Sequence, residues 1–361
     1  MELKVPLPNL HLEDLGWTSF FASHFENLTG SELVPARVIE EFKGFYRVKA
    51  AQGEYLAEIA GKIQHHAAGR EDFPAVGDWV AILARPEEAR ARIEYILPRK
   101  TKLSRKAAGR ELNEQIIATN LDTAFVVSSL NRDFNLRRIE RYLTMIWDSG
   151  ARPVVLLNKT DLCADASAYA TEVECIAVGT PVYLLSALEG TGLEAVEDYL
   201  VCGTTAAFVG SSGVGKSTII NGLANADLRV QPVREQDDRG QHTTTSRQMI
   251  FLPSGGIVID TPGMRELQLW NNEEGAERAF DDIAMLAQSC RFRDCAHHGE
   301  PGCAIALAIN HGRLQPKRLE NYRKLLAELR FQERKMDPRV ARQDKEKWKK
   351  IHKAMRKRPN R

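Results

Sequence analysis

At 361 residues the chain is long enough for two or three domains, each burying a sizeable core. Its 43% hydrophobic and 27% charged residues are those of a soluble globular protein. No apolar run approaches the ~20 residues of a membrane span, and six cysteines are too few for a disulfide scaffold. The net charge of +2 hides an uneven distribution: the chain after Arg313 is strongly basic. No long apolar stretch follows Met1, so no signal peptide is expected, and the location expected is cytoplasmic.

Residues Asp14 to Leu28 place Trp17, Phe20, Phe21 and Phe25 at helical spacing, which predicts a short helix packed on a neighbouring domain. Four segments then alternate apolar and polar residues: Val34–Ile39, Gly44–Val48, Glu54–Ile59 and Asp78–Leu83. Glycines and the Pro74–Gly77 stretch punctuate them. About five short strands in about 70 residues fit a small β-barrel, with the OB-fold the leading choice. The basic run Arg99–Lys106 follows, readable either as a phosphate-contacting strip or as a solvated linker.

From Asp122 the chain alternates β-rich apolar runs with helical stretches. The strands expected are Thr123–Ser128, Pro153–Leu157, Pro181–Leu185, Ala206–Val209 and Gly256–Ile259. A helix is expected over Asn135–Asp148 with Asn135 as its N-cap. This is the pattern of a doubly wound α/β domain, whose ligand loops lie at the carboxyl ends of the strands. After the second run comes Asn158-Lys159-Thr160-Asp161. A carboxylate at Asp161 can accept from guanine N1–H and the exocyclic amine, a donor pair that adenine lacks. Asn158 holds the loop, and Lys159 lays its stem over the ring. Ser186-Ala187-Leu188, after the third run, is placed to give a backbone contact to the guanine oxygen.

The fourth run leads into Gly210-Ser211-Ser212-Gly213-Val214-Gly215-Lys216-Ser217-Thr218, then a helical stretch. That strand–loop–helix context is what a phosphate-binding loop requires. Its glycines let backbone N–H groups converge on phosphates at a helix N-terminus. Lys216 is expected to reach the β- and γ-phosphates, and Ser217 to give its hydroxyl to Mg²⁺. Asp260-Thr261-Pro262-Gly263 ends the fifth run, putting Asp260 near Mg²⁺ and the Gly263 N–H near the γ-phosphate. Between them, Gly240-Gln241-His242-Thr243-Thr244-Thr245 sits in a polar loop. Either Thr244 or Thr245 is the candidate Mg²⁺ ligand. His242 is a candidate for positioning water, for meeting a partner, or for neither. Met264 stands where a Ras-like protein has the water-orienting Gln, so intrinsic hydrolysis should be slow and a partner should complete the site.

Cys290-x4-Cys295-x-His297-x5-Cys303 offers three thiolates and an imidazole. The set suits one tetrahedral, structural Zn²⁺, with His298 as the second choice to His297. From Arg339 to Arg361 Lys or Arg falls at about every second position, as in a basic helix or arm.

The base loop at 158–161 precedes the phosphate loop at 210–218, the reverse of the Ras-like order. This order, with the barrel before it and the Cys/His cluster after it, resembles the circularly permuted GTPase family RsgA, also called YjeQ. The 240–245 loop and Arg293-Asp294-Cys295-Ala296-His297 also resemble that family. Met264 departs from it, since many members carry Phe there. The resemblance implies a multidomain α/β protein with an N-terminal OB-fold β-barrel, a central circularly permuted P-loop GTPase domain and a C-terminal helical zinc-binding domain. It implies a ribosome-stimulated GTPase acting late in small-subunit maturation and contacting ribosomal RNA. A monomer that meets no membrane is expected. The boundaries expected are an extension to 32, a barrel over 33–105, a G domain over 111–270, a zinc-binding domain over 271–335 and a basic tail over 336–361. The competing function is an RNA-anchored GTP/GDP switch with incidental hydrolysis.

Overall fold

The computed structural model describes residues 11–28, 32–42, 44–106, 114–224, 247–261 and 273–336. A 3₁₀ turn over Leu12–Leu15 leads into helix α1, Ser19–Glu26. Trp17, Phe20, Phe21 and Phe25 pack with Leu15 around Trp79 and Leu97, so the aromatic segment lies on the barrel as expected. Trp17 meets Trp79 edge-on with ring centroids 4.6 Å apart, the geometry that aromatic quadrupoles favour.

The barrel consists of β1 (Leu33–Glu41), β2 (Tyr46–Ala50), β3 (Gly53–Ile59), helix α2 (Gly61–His66), β4 (Trp79–Arg85) and β5 (Arg90–Ile96). The strands pair in the order β1-β2-β3-β5-β4, and β4 closes back onto β1. Alternation drives the closure. Tyr46, Val48 and Ala50 of β2 point inward with Tyr55 and Ala57 of β3, while Arg47 and Lys49 point out. Each Val or Ile buried this way contributes about 1.5–3 kcal/mol.

The basic run after the barrel is structured and is no solvated linker. Arg99 donates to both Asp78 carboxylate oxygens and to the carbonyls of Glu71 and Phe73. Strand β6, Lys102–Lys106, pairs antiparallel with β7, Glu114–Thr119, in a separate two-stranded sheet.

The α/β part contains β8 (Thr123–Ser129), α3 (Leu136–Ser149), β9 (Arg152–Asn158), α4 (Ala166–Glu174), β10 (Val182–Leu185), α5 (Glu194–Glu197), β11 (Thr205–Val209), α6 (Lys216–Ala224), β12 (Gln248–Phe251) and β13 (Ile257–Asp260). The sheet order is β10-β9-β8-β11-β13-β12, parallel except for β12. Helices on both faces explain why β11 is buried throughout and reads as an unbroken apolar run. Asn135 caps α3 by accepting from the Arg138 backbone N–H.

Strand β12 was not foreseen, and it joins the two halves. Its Gln248 pairs with Glu40 of β1, so barrel and α/β sheet form one continuous eleven-stranded sheet. A buried arginine reinforces the junction. Arg37 of β1 donates to Gly77 O, Asn120 O, Leu15 O and Thr205 Oγ1, the last at 2.8 Å. Burial pulls its pKa down to about 10 against the opposing fields of Asp122 and Asp78.

The C-terminal part is helical: α7 (Glu273–Ala279), α8 (Asp281–Gln288), α9 (Ala304–Asn310) and α10 (Pro316–Met336). Its apolar residues Ile283, Ile305, Leu319 and Leu325 share one core with Ile139 and Leu143 of α3. Among the described residues, no helix is long and apolar enough to cross a membrane.

Candidate functional site

Three loops meet at the carboxyl end of the parallel strands. The first leaves β11 at Gly210, whose φ of 154° brings the chain under Val127; a Cβ there would stand 2.4 Å from the Val127 carbonyl oxygen. Gly215 is tighter. With φ of 101°, its Cβ would lie 2.1 Å from Asn158 Nδ2, so only glycine admits the neighbouring loop.

That neighbour carries Asn158-Lys159-Thr160-Asp161. Asn158 is buried at the end of β9 and joins all three loops. Its Nδ2 donates to Val214 O at 2.8 Å, and its Oδ1 accepts from the Ala187 N–H at 3.0 Å. Lys159 takes a left-handed φ of 68° and turns the chain into Thr160 and Asp161. Asp161 is exposed, and one of its carboxylate oxygens accepts from Ser186 Oγ at 2.6 Å. Ser186 and Ala187 thus tie their loop to both ends of the Asn158–Asp161 run.

Lys216 opens α6 and is buried. Its ammonium donates to Gly210 O at 2.9 Å and Ser211 O at 2.7 Å, across the mouth of its own loop. Burial lowers its pKa to about 8, and the nearby Asp260 carboxylate opposes that shift. Asp260 ends β13; burial raises its pKa, and Lys216 in turn holds it down. Thr261 is buried and donates to Phe208 O, fixing the Asp260 segment to the strand that feeds the phosphate loop. Ser212 and Gly213 are exposed on the loop and Ser217 on the first turn of α6, with Thr218 half-buried behind them. His242, Thr244, Thr245, Gly263 and Met264 lie outside the described residues.

Sequence reasoning missed a residue at this site. Arg138, on the first turn of α3, reaches Ser211 Oγ at 2.6 Å. No local pattern marks it, because its partner lies 73 positions away.

The second candidate centre lies between α8 and α9. Cys290, Cys295, His297 and Cys303 bring one ligand atom each within 4.8 Å of one another, so the cluster can hold a metal ion. Nδ1 of His297 is 3.6 Å from both Cys290 Sγ and Cys303 Sγ, which are 4.0 Å apart. A tetrahedron with metal–sulfur bonds of about 2.3 Å has edges of about 3.8 Å, so the donors stand at ligand spacing. His297 adopts a left-handed φ of 61°, and Arg323 donates to its carbonyl oxygen. The local backbone is therefore bent around His297, not His298.

A glycine-rich loop between strand and helix, an aspartate at the end of the adjacent parallel strand and an Asn-Lys-x-Asp loop bonded to the glycine-rich loop define a P-loop GTPase. The chain order makes it a circularly permuted one. A family model described as RsgA GTPase matches residues 96–270. The small ribosomal subunit biogenesis GTPase RsgA of Opitutus terrae is 45% identical over 355 residues, covering 96% of this chain and 97% of that one. The crystal structure of YjeQ from Thermotoga maritima matches with a TM-score of 0.63 at 26% identity, covering 82% of this chain and 98% of that one. YloQ, solved as a circularly permuted GTPase, matches at 0.61 and 25% identity, over 84% and 96% of the two chains. The chain belongs to the RsgA GTPase family.

Proposed function

We propose that this GTPase binds the small ribosomal subunit and its rRNA and assists late maturation, hydrolysing GTP to GDP and phosphate with ribosome stimulation. The observation that carries the nucleotide half is Asn158, which bonds to the phosphate loop and to the Ser186–Ala187 loop at once. The base and phosphate sites are thus fixed relative to each other before any ligand arrives. The ribosomal half rests on relatives so named that align over almost their whole length.

In this reading Asp161 reads the guanine edge, with Lys159 and Thr160 shaping the loop and the Ala187 N–H shared between Asn158 Oδ1 and the guanine oxygen. Residues 210 to 218 cradle the phosphates with backbone N–H groups. Lys216 turns from its loop carbonyls toward the β- and γ-phosphates. Ser217 and Asp260 would hold Mg²⁺, which neutralises charge on the transferring group. Water attacks the γ-phosphorus, the bond to the β-phosphate oxygen breaks, and GDP leaves. His242 is proposed to position that water, Thr244 or Thr245 to complete the metal shell, and Gly263 to contact the γ-phosphate. With Met264 after Gly263, the unassisted rate is slow and the ribosome supplies the missing organisation.

Cys290, Cys295, His297 and Cys303 would hold one Zn²⁺ per chain. Three thiolates and an imidazole close a tetrahedral shell, so the ion supplies folding energy and no chemistry. The protein acts as a cytoplasmic monomer, with the barrel over 33–105, the G domain over 111–270, the zinc-binding domain over 271–335 and the tail beyond.

The test is GTP hydrolysis by the purified chain alone, with small subunits and with large ones. Strong stimulation by small subunits only is the expected result. Slow hydrolysis that no ribosomal particle changes would remove the ribosomal assignment and leave an RNA-anchored GTP/GDP switch.

A further inference from the structure

The phosphate loop holds three glycines at positive φ, at 210, 213 and 215, within nine residues. Such a loop is free to take many shapes, and ordering it costs binding energy. Three sets of bonds restrain it. Lys216 bonds to Gly210 O and Ser211 O from within, and Asn158 bonds to Val214 O from the base side. The third set comes from α3. Arg138 Nη1 donates to Ser211 Oγ at 2.6 Å, and Tyr142, one turn later, lines the same small cavity as Arg138 and Ser211.

The α3 brace is itself braced. Arg138 Nη1 also donates to Asp133 Oδ2 at 2.7 Å. The Asp133 N–H donates to Asn131 Oδ1, which also accepts from Ser129 Oγ at the end of β8. Strand β8 is the parallel neighbour of β11, which feeds the phosphate loop. A closed circuit therefore runs from β8 through Asn131, Asp133 and Arg138 to Ser211 and back through β11.

These three restraints are not equivalent. Lys216 is the group that the reading above turns toward the phosphates, so its hold on the loop is the one that changes on binding. Arg138 bonds to a side chain on the α3 side of the loop and has no such second task. We propose that Arg138 is a positioning residue for the nucleotide: through Ser211 it fixes the first arm of the phosphate loop in its binding shape. The inference rests on the GTP site proposed above. Because the bond is the same before and during phosphate transfer, it strengthens binding of ground and transition states alike. Its loss should raise KM and leave kcat nearly unchanged.

The experiment measures affinity of the full-length chain for fluorescent GDP and GTP analogues, with single-turnover hydrolysis, for the parent, Arg138→Met, Ser211→Ala and the double variant. Each single variant should weaken both nucleotides about tenfold, with the hydrolysis rate at saturation within twofold of the parent. The double variant should be no weaker than the worse single one, because both remove the same bond. A general loss of structure would not give that non-additivity at an unchanged melting temperature. Binding within twofold of the parent in both single variants overturns the proposal, as does a fall in the saturated rate at unchanged affinity. If Arg138→Met fails to fold, Ser211→Ala decides alone, since it removes only a hydroxyl. If the parent binds neither nucleotide, the GTP site falls and the role of Arg138 with it; a parent that binds beside indifferent variants defeats only the role of Arg138.

Discussion

Burial sets the charge state of Lys216, and with it a pH dependence of opposite sign for folding and for binding. Its folded pKa of about 8 lies below the ordinary 10.5 because the ammonium is desolvated, with Asp260 pulling the other way. Between those values the unfolded chain holds the proton more tightly, so this group's contribution to stability rises with pH. A phosphate beside the ammonium favours the charged form, so GTP binding should take up a proton above pH 8 and weaken as pH rises. Calorimetric titration at pH 8.5 in two buffers of different ionisation enthalpy should show uptake on the order of half a proton. Identical observed heats in the two buffers would mean that Lys216 keeps its proton in the free protein. Lys216, Asn158, Ser186 and Asp260 stood out in the sequence because each ends a strand or opens a helix in a short pattern. Arg37 and Arg138 did not. Their hydroxyl partners, Thr205 and Ser211, lie 168 and 73 positions away, and nothing local marks an arginine for such a bond.

Among the elements, α3 has two tasks. Arg138 and Tyr142 face the phosphate loop, while Glu140 and Arg141 face the C-terminal helices. Glu140 is buried against Arg318, which also bonds to Asp282 and lies over Phe280 at 4.6 Å. Helix α7 approaches so closely that a Cβ on Gly275 would stand 2.6 Å from the Thr144 carbonyl oxygen. Replacing Arg318 with Met leaves Glu140 buried without its counter-charge and should cost about 3–5 kcal/mol. Glu140→Gln keeps a hydrogen-bonding group and should cost about 1 kcal/mol. Denaturant unfolding of the two variants checks the difference, and equal costs would show that the pair is not the seat of the contact. The helix itself was legible from its periodicity and Asn135 cap. Strands β6 and β12 were not. In β6 the alternation is crowded with lysine and arginine, and β12 is four residues long.

At the scale of the whole molecule one apolar core runs from Ile39 of the barrel through α3 to Leu329 of α10. The Cys/His cluster sits at the margin of that core, with only Cys303 buried. Stripping the metal with a strong chelator should release one ion per chain and lower the melting temperature on the order of 5 °C. Nucleotide affinity should stay within twofold, because α3 remains packed on both neighbours. A collapse of GTP binding on chelation would show that the cluster supports the G site directly. The pairing of Glu40 with Gln248 also bears on how the chain is made. Strand β1 is synthesised early, but its partner leaves the ribosome roughly two hundred residues later, about 10–40 s at usual elongation rates. During that interval the end of β1 around Glu40, beyond its pairing with β4, lacks a neighbour on one side, a short strand edge of the kind that recruits wrong partners. Exposed Arg47 and half-buried Glu41 put charge at that end of the barrel, the device by which natural sheet edges resist wrong pairing.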